Sequence, residues 1–148
     1  MRLVVQRVSE ASCTVDGVVT GAINTGFMVL VGFCNDDTEE IVVKMANKLK
    51  KLRVFDDADG KMNLSLKDVG GAILSISQFT LYADCTKGNR PSFCGAMKGD
   101  DATKMYDYFN GLLEDEYQVE KGIFGADMKI KLLNDGPVTI ILDSKEIL

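Results

Sequence analysis

The chain has 148 residues, a formal net charge of −5 and no histidine. The length is typical of one domain, and the absence of histidine excludes Ser-His-Asp and Cys-His catalysis, histidine zinc sites and imidazole acid–base chemistry. An acidic protein is also a poor candidate for coating nucleic acid, because phosphate tracking needs a basic field, although one end of a nucleic acid can be bound locally.

The chain opens with segments typical of β-strands. Residues 3–8 are apolar and β-branched. Residues 11–15 and 18–23 flank Asp16-Gly17, a strong signal for a two-residue hairpin because both turn positions favour positive φ. Residues 27–31 are apolar on both faces, which predicts a central strand.

A first helix is predicted after these strands. Asp37 is the candidate N-cap, with Glu40 three residues later as in a capping box. An apolar stripe follows at helical spacing, formed by Ile41, Val42, Met45, Ala46, Leu49 and Leu52. Three lysines on the opposite face form either a phosphate-contacting stripe or a solvated face. They are Lys44, Lys48 and Lys51.

The acidic segment 56–60 invites interpretation as a calcium loop. Aligning Gly60 with the sixth position of an EF-hand loop places Phe55 first and Leu66 twelfth, where Asp and Glu are required. The pattern therefore favours a hairpin turn that follows a short strand at 53–55.

The second half of the chain predicts a long strand over 72–82 and a helix over about 101–116. Alternation at 128–132 indicates a strand with one solvated face. The residues Asn134-Asp135-Gly136-Pro137 predict a turn into a final strand at 138–142.

No linker or repeat divides the chain, so we expect a single α+β domain over residues 1–148. The expected architecture is a largely antiparallel, barrel-like β-sheet with two flanking α-helices.

The cysteines Cys13, Cys34, Cys85 and Cys94 have no C-x-x-C spacing, and without histidine the common zinc patterns fail. We expect reduced thiols in a cytoplasmic protein that requires no metal and no cofactor. The longest apolar stretch, 26–34, is far short of the ~18 residues that span a membrane, and the first residues lack the apolar core of a signal peptide.

Two polar segments are candidate sites. The residues Ser77-Gln78-Phe79-Thr80 offer hydroxyls and an amide at a strand end, which either bind a carbonyl or satisfy strand-end backbone groups. Pro137 has no N–H to donate and belongs at a strand start or an exposed edge, and the Gly136-Pro137 bond is either an ordinary trans turn or a cis peptide.

The segment 87–93 carries two cations that either contact a phosphate or hold the loop in place.

Five segments together resemble the D-aminoacyl-tRNA deacylases, the family first named for D-tyrosyl-tRNA. They follow the family's order and cover essentially the whole chain. They are residues 1–9 (MRLVVQRVS), 77–81 (SQFTL), 87–93 (KGNRPSF), 124–128 (FGADM) and 134–139 (NDGPVT). The Ser-Gln-Phe-Thr and Gly-Pro motifs at this separation are highly specific in combination.

The resemblance implies a cytoplasmic homodimer that hydrolyses the ester between a D-amino acid and the terminal adenosine of tRNA. It also implies activity on glycine mischarged on tRNA for alanine. Gly136-Pro137 would be a Gly-cis-Pro motif that reaches into the partner's active site and rejects L side chains. Arg7 resembles the arginine that holds this motif, and its other interpretation is a surface cation on an edge strand.

The resemblance also assigns a catalytic group. Ser77, Gln78 and Phe79 would position the substrate and supply donors near its carbonyl. Thr80 is the candidate nucleophile, but a hydroxyl without an adjacent base is poorly activated. This favours attack by water, assisted by the ribose 2′-hydroxyl.

The sequence is also compatible with two other functions. One is a non-catalytic module that binds the 3′ end of aminoacyl-tRNA. The other is a small-molecule hydrolase that uses Cys85 or Cys94 as its nucleophile.

Overall fold

The computed structural model describes residues 1–148 and contains eight β-strands, three α-helices and one 3-10 turn. The strands are Arg2–Val15 (β1), Val18–Ile23 (β2), Gly26–Gly32 (β3), Arg53–Asp56 (β4), Met62–Ser65 (β5), Ala72–Ser77 (β6), Val119–Lys121 (β7) and Lys129–Asp143 (β8). The helices are Glu39–Lys50 (α1), Gly99–Glu114 (α2) and the single turn Ser144–Ile147 (α3), and the 3-10 turn is Phe79–Tyr82.

Strand β1 pairs with three other strands of the sheet. Its first half pairs with β3 and its second half with β2 along one edge, while β8 runs along the other edge. The two strands predicted at 3–8 and 11–15 are therefore one continuous strand. The predicted hairpin between β1 and β2 is confirmed, with φ values of 49° at Asp16 and 77° at Gly17.

The sheet is mixed and nearly closes into a barrel. Its order is β2-β1-β3-β6-β7, with β8 paired to β1. The pairs β3–β6 and β6–β7 are parallel, whereas every pair made by β1 is antiparallel. Strand β2 comes so close to β7 that a Cβ on Gly21 would lie 2.9 Å from the Cβ of Glu120. The expected α+β, barrel-like fold is confirmed.

The alternation of strand residues creates two apolar cores. One core lies between the sheet and the helices α1 and α2, and includes Leu3 and Phe27 from the sheet and Phe109 from α2. The other is enclosed by the curved sheet and includes Met28 and Leu74. Helices α1 and α2 thus flank the sheet, as predicted, and both pack on the same face.

Helix α1 has the predicted buried stripe, but its N-cap is Thr38 and not Asp37. The Thr38 hydroxyl accepts the amide of Ile41. Asp37 is buried, where its carboxylate pairs with the amino group of Met1 and accepts the amide of Cys34 at 2.7 Å. The predicted lysine face is solvated, and one member, Lys44, pairs with Glu40.

The acidic segment after β4 forms the predicted turn of the β4–β5 hairpin. The carboxylate of Asp57 accepts the amides of Asp59 and Lys61, so it caps the turn from within the loop.

The strand predicted over 72–82 is shorter than expected. Strand β6 ends at Ser77, and the chain then winds into the 3-10 turn. Helix α2 also begins and ends two residues earlier than predicted.

The turn predicted at Asn134–Pro137 does not reverse the chain. Strand β8 continues antiparallel to β1 on both sides of it, with Asn134 opposite Val8 and Thr139 opposite Gln6. The four residues between them oppose only Arg7, so the segment Asp135–Val138 is a large bulge in one long strand.

Candidate active site

A cleft of about 240 Å³ opens at the carboxyl end of β6. Three of the predicted catalytic residues, Ser77, Gln78 and Phe79, lie in its wall. The other lining residues are Val31, Phe33, Ile76, Met97, Ala102, Phe124, Gly125, Ala126, Asp127, Met128 and Ile130. The cleft is thus mostly apolar with a few convergent polar groups, as expected of a small-molecule site.

The floor of the cleft is held against β3. The amide of Gln78 donates to the carbonyl of Val31 at 2.8 Å, which continues the parallel ladder past the end of β6. A Cβ on Gly32 would lie 3.0 Å from the Gln78 carbonyl and 3.1 Å from the Leu81 side chain. Glycine at this position therefore allows the 3-10 turn to lie directly on β3.

Thr80 lies on the 3-10 turn, beside the cleft but outside its lining. Its hydroxyl accepts a hydrogen bond from the side-chain amide of Gln78. Gln78 and Thr80 are therefore in contact, and the Thr80 hydroxyl is paired with a hydrogen-bond donor and not with a base.

The titratable groups next to the turn supply no base to Thr80. Burial, followed by the charge of Asp37, raises the pKa of Tyr82. The amide of Thr86 lowers the pKa of Asp84. Asp84 is consequently ionised near neutral pH and Tyr82 is neutral, and neither side chain is hydrogen-bonded to Thr80.

Phe79 carries an exposed ring at the mouth of the cleft. The ring is 53% exposed and packs edge-on against Phe93, with centroids 5.0 Å apart. Just before Phe93, Asp84 and Ser92 exchange backbone hydrogen bonds and close a loop that carries Lys87 and Arg90 in solvent. The predicted polar loop therefore borders the cleft.

The opposite wall of the cleft comes from the segment Phe124–Met128, which sequence reasoning left without a role. Asp127 is the only charged residue of the lining, and it pairs with Lys129 at 3.1 Å in solvent. The segment was one of the five that carried the family resemblance, so this motif was the signal that could have placed it in the site.

The second predicted group lies outside the cleft. Gly136 and Pro137 are exposed in the bulge of β8, and the peptide bond between them is cis. Neither residue lines the cleft of its own chain. The two predicted parts of the site are therefore separate from each other within a single chain.

Arg7 holds the bulge from beneath. Its Nε donates to the carbonyl of Asp135 at 2.7 Å, and its Nη1 donates to the carbonyl of Val54 at 2.7 Å and reaches Asp56 at 3.4 Å. Arg7 is only 7% exposed and lies on a strand paired along both edges. The interpretation as a surface cation on an edge strand is therefore wrong.

Asn134 closes the bulge from its own strand, a role that sequence reasoning missed. Its Oδ1 accepts the amide of Val138 at 2.7 Å, and its Nδ2 donates to the Val138 carbonyl and the Thr139 hydroxyl. Asparagine before the Asp-Gly turn signal was the clue, because its side chain readily bonds nearby backbone.

No group of three or more Cys, Asp or Glu side chains is arranged to hold a metal ion. Cys85 and Cys94 are exposed, and no cysteine lines the cleft. None of the three helices is both long and apolar enough to cross a membrane.

One protein-family model and two solved structures are similar to this chain. A model of the D-Tyr-tRNA(Tyr) deacylase family matches residues 4–143. A solved structure described as c-Myc DNA Unwinding Element Binding Protein is 42% identical, with a TM-score of 0.91, over 97% of this chain and 98% of that one. A second, described as a probable eukaryotic D-amino acid tRNA deacylase, is 19% identical, with a TM-score of 0.82, over 95% of this chain and 97% of that one, and shows the same fold.

Proposed function

Because the chain belongs to the D-Tyr-tRNA(Tyr) deacylase family, a family of hydrolases that act on the ester bond of aminoacyl-tRNA, we propose a specific reaction for it. It cleaves the ester between a D-amino acid and the terminal adenosine of tRNA, and releases free tRNA and the D-amino acid. The observation that carries this proposal is the cleft formed by Ser77, Gln78 and Phe79 at the end of β6. The reaction takes place in the cytoplasm, where aminoacyl-tRNA is used.

Catalysis proceeds by attack of water on the ester carbonyl. An aminoacyl ester is already activated, so a positioned water and a stabilised oxyanion are sufficient. The neighbouring ribose 2′-hydroxyl assists proton transfer. Ser77, Gln78 and Phe79 position the ester, and Thr80 orients Gln78. The absence of a base next to the Thr80 hydroxyl supports this route over a covalent one.

Chiral selection comes from Gly136-Pro137 of a second subunit. The backbone carbonyls of this motif face the α-carbon and amino group of the substrate, so an L side chain meets the wall and a D side chain points away. Recognition by backbone does not depend on side-chain identity, and glycine has no side chain to reject. Glycine mischarged on tRNA for alanine is therefore also a substrate.

A homodimer is needed to bring the two parts of the site together. An apolar row crosses the sheet from the cleft residue Ile76 through Leu30 and Val4 to Ile141, each next to the following one in register. Ile141 is 63% exposed, and β8 pairs only with β1, so its outer edge lacks a strand partner. A second copy seated on this row would bury Ile141 and carry its Gly136-Pro137 to the cleft.

Deacylation of paired substrates tests the proposal. The protein should release amino acid from D-tyrosyl-tRNA and leave L-tyrosyl-tRNA intact. Gln78→Ala should lower the rate by about tenfold or more through lost positioning, whereas Gln118→Ala, which alters an exposed glutamine outside the cleft, should not. Tight binding of D-tyrosyl-tRNA without hydrolysis would contradict the proposal and favour a non-catalytic module for aminoacyl-tRNA 3′ ends.

Two other functions receive less support. A cysteine-dependent hydrolase needs a thiol in the cleft, and none lines it. The name of the 42% identical relative refers to binding of a DNA element, but a net charge of −5 provides no general basic field for a duplex. Full deacylation after alkylation of the exposed thiols would further exclude the cysteine mechanism.

A further inference from the structure

Arg2 joins three parts of the structure next to the cleft. Its Nε and Nη2 donate to the carboxylate of Asp143 at 2.8 and 2.7 Å. Its Nη1 donates to the carbonyl of Leu81 at 2.6 Å, and its guanidinium carbon lies 4.9 Å from the centre of the Tyr82 ring. The start of β1, the end of β8 and the 3-10 turn therefore meet at the Arg2 side chain.

The 3-10 turn lies on β3 but has few backbone hydrogen bonds of its own. Two hydrogen bonds close it, from the amide of Leu81 to the Gln78 carbonyl at 3.3 Å and from Ala83 to the Thr80 carbonyl at 3.1 Å. None of its four residues is buried. A short turn with two backbone hydrogen bonds and an exposed outer face has little stability of its own, so the contacts of Leu81 and Tyr82 with Arg2 add to its packing on β3 and restrain its position.

The simultaneous hydrogen bonds to Asp143 and to the Leu81 carbonyl require the forked guanidinium of arginine. Asp143 lies opposite Arg2 in the β1–β8 register, and its side chain is 7% exposed against 35% for Arg2. The buried carboxylate takes one side of the guanidinium and leaves Nη1 directed at Leu81. A lysine ammonium has no fixed fork, so it would keep the pair with Asp143 and lose the directed bond to the turn.

We propose that Arg2, oriented by Asp143, is a positioning residue that sets the place of the 3-10 turn and hence of Phe79 and Thr80 at the cleft. It acts through the Leu81 carbonyl and the Tyr82 ring and does not touch the substrate. The inference rests on the proposed deacylase function for its kinetic consequence, whereas its structural consequence is independent of that function.

The kinetic test compares Arg2→Lys and Arg2→Met with the unmodified protein on D-tyrosyl-tRNA. A turn displaced by a fraction of an ångström to an ångström lowers kcat by roughly tenfold to 100-fold while most tRNA contacts persist, so KM should change by less than about threefold. Arg2→Lys should stay folded because it retains a cation beside Asp143. Glu116→Gln is the matched control, since it breaks the Lys50–Glu116 pair on another face and should leave kcat unchanged.

The structural test measures amide hydrogen exchange of Leu81 and Ala83 by NMR. Arg2→Lys should speed exchange at both amides by tenfold or more and leave the amides of α2 unchanged. Unchanged exchange in the turn, or an unchanged kcat in Arg2→Lys, would overturn the inference. If the unmodified protein failed to deacylate D-tyrosyl-tRNA, the proposed function would fall, and the exchange rates alone would decide whether Arg2 positions the turn.

Discussion

Arg7 and Asp135 are joined across the β1–β8 ladder by a hydrogen bond of 2.7 Å from the Arg7 Nε to the Asp135 carbonyl. The same guanidinium donates to the carbonyl of Val54 in strand β4 of the neighbouring hairpin. A buried cation with two backbone carbonyls as partners fixes the base of the bulge that exposes Gly136 and Pro137. The position of the exposed Gly136-Pro137 motif thus depends on the hydrogen bonds of the buried Arg7 side chain.

Replacing Arg7 should therefore affect both stability and activity. Arg7→Met leaves the Val54 carbonyl without its donor, and we expect a loss of about 1–3 kcal/mol in the free energy of unfolding, measured by urea denaturation. Deacylation of D-tyrosyl-tRNA should fall further than the folded fraction does. Arg53→Met, which removes an exposed arginine bonded to Asn63, is the control and should change both quantities little. Equal effects of the two variants would count against the role of Arg7.

Gly136→Ala should disturb the bulge through a steric clash. A Cβ at this position would lie 2.8 Å from the Val138 Cγ2 and 3.0 Å from the Arg7 Nη2, at a φ of +141°. Strained backbone of this kind costs about 1–3 kcal/mol. Gly60→Ala, in the β4–β5 turn away from the cleft, is the matched control, because its φ is +74° and its Cβ would meet nothing within 4 Å.

The Gly136→Ala variant should lose most D-tyrosyl-tRNA deacylation, while Gly60→Ala should keep it. Rates are measured at equal folded concentration, with circular dichroism to follow folding. Full activity in a folded Gly136→Ala protein would refute the role that we propose for the motif.

Thr80→Ala should retain deacylation within about tenfold of the unmodified rate, since in the mechanism that we propose the residue only orients Gln78. Loss of a covalent nucleophile would instead cost on the order of 10⁴-fold or more. Rapid quenching followed by intact-mass spectrometry provides the second readout. An aminoacyl adduct that forms on the unmodified protein and is absent from Thr80→Ala would establish the covalent route.

Ile141→Lys should weaken the proposed homodimer, because it places a charge in the apolar row that a second copy would cover. Val18→Lys is the matched control, as Val18 is 66% exposed at a hairpin tip against 63% for Ile141. Light scattering should give about twice the chain mass of 16.2 kDa for the control, and a lower mass with reduced deacylation for Ile141→Lys. An active, unmodified protein with the mass of one chain would rule out the shared site.

Asp143 should make stability depend on pH in the acid range. Burial favours its protonated form, but the amide of Lys145 and the Arg2 guanidinium outweigh this and lower its pKa below the ordinary value of 3.8. A carboxyl whose pKa is lowered by folding stabilises the fold above its unfolded pKa, and this contribution disappears as pH falls through the folded value.

The difference in unfolding free energy between the unmodified protein and Asp143→Asn should therefore be larger at about pH 6 than at about pH 3. Urea denaturation at both pH values measures it. Asp115→Asn, at an exposed carboxylate without an ion-pair partner, should show little difference at either pH. A difference for Asp143→Asn that does not vary with pH would contradict the assignment.

Several local features could be predicted from the sequence because neighbouring residues decide them. The Asp16-Gly17 hairpin follows from the left-handed conformations that its two residues adopt easily. The buried stripe of α1 follows from helical spacing. The Ser-Gln-Phe-Thr and Gly-Pro motifs likewise pointed to the family, and hence to the class of reaction.

Other features depended on distant residues. Asp37 has the composition of an N-cap, but its carboxylate bonds Met1 and Cys34, and Thr38 caps α1 instead. The alternation beyond Ser77 resembles a strand, yet the chain turns there because Gly32 leaves room for the turn on β3.

By itself, the sequence determined the α+β class, most of the elements and the family, because local conformational preference and side-chain chemistry are encoded in short segments. Only the tertiary structure decided that Ser77, Gln78 and Phe79 share a cleft with Phe124–Met128, and that Gly136-Pro137 is exposed and does not line it. It also decided that the apparent turn in β8 is a bulge, because Arg7 and Asn134 hold it while pairing with β1 continues on both sides. These outcomes depend on contacts between residues that are far apart in the chain, which local patterns do not encode.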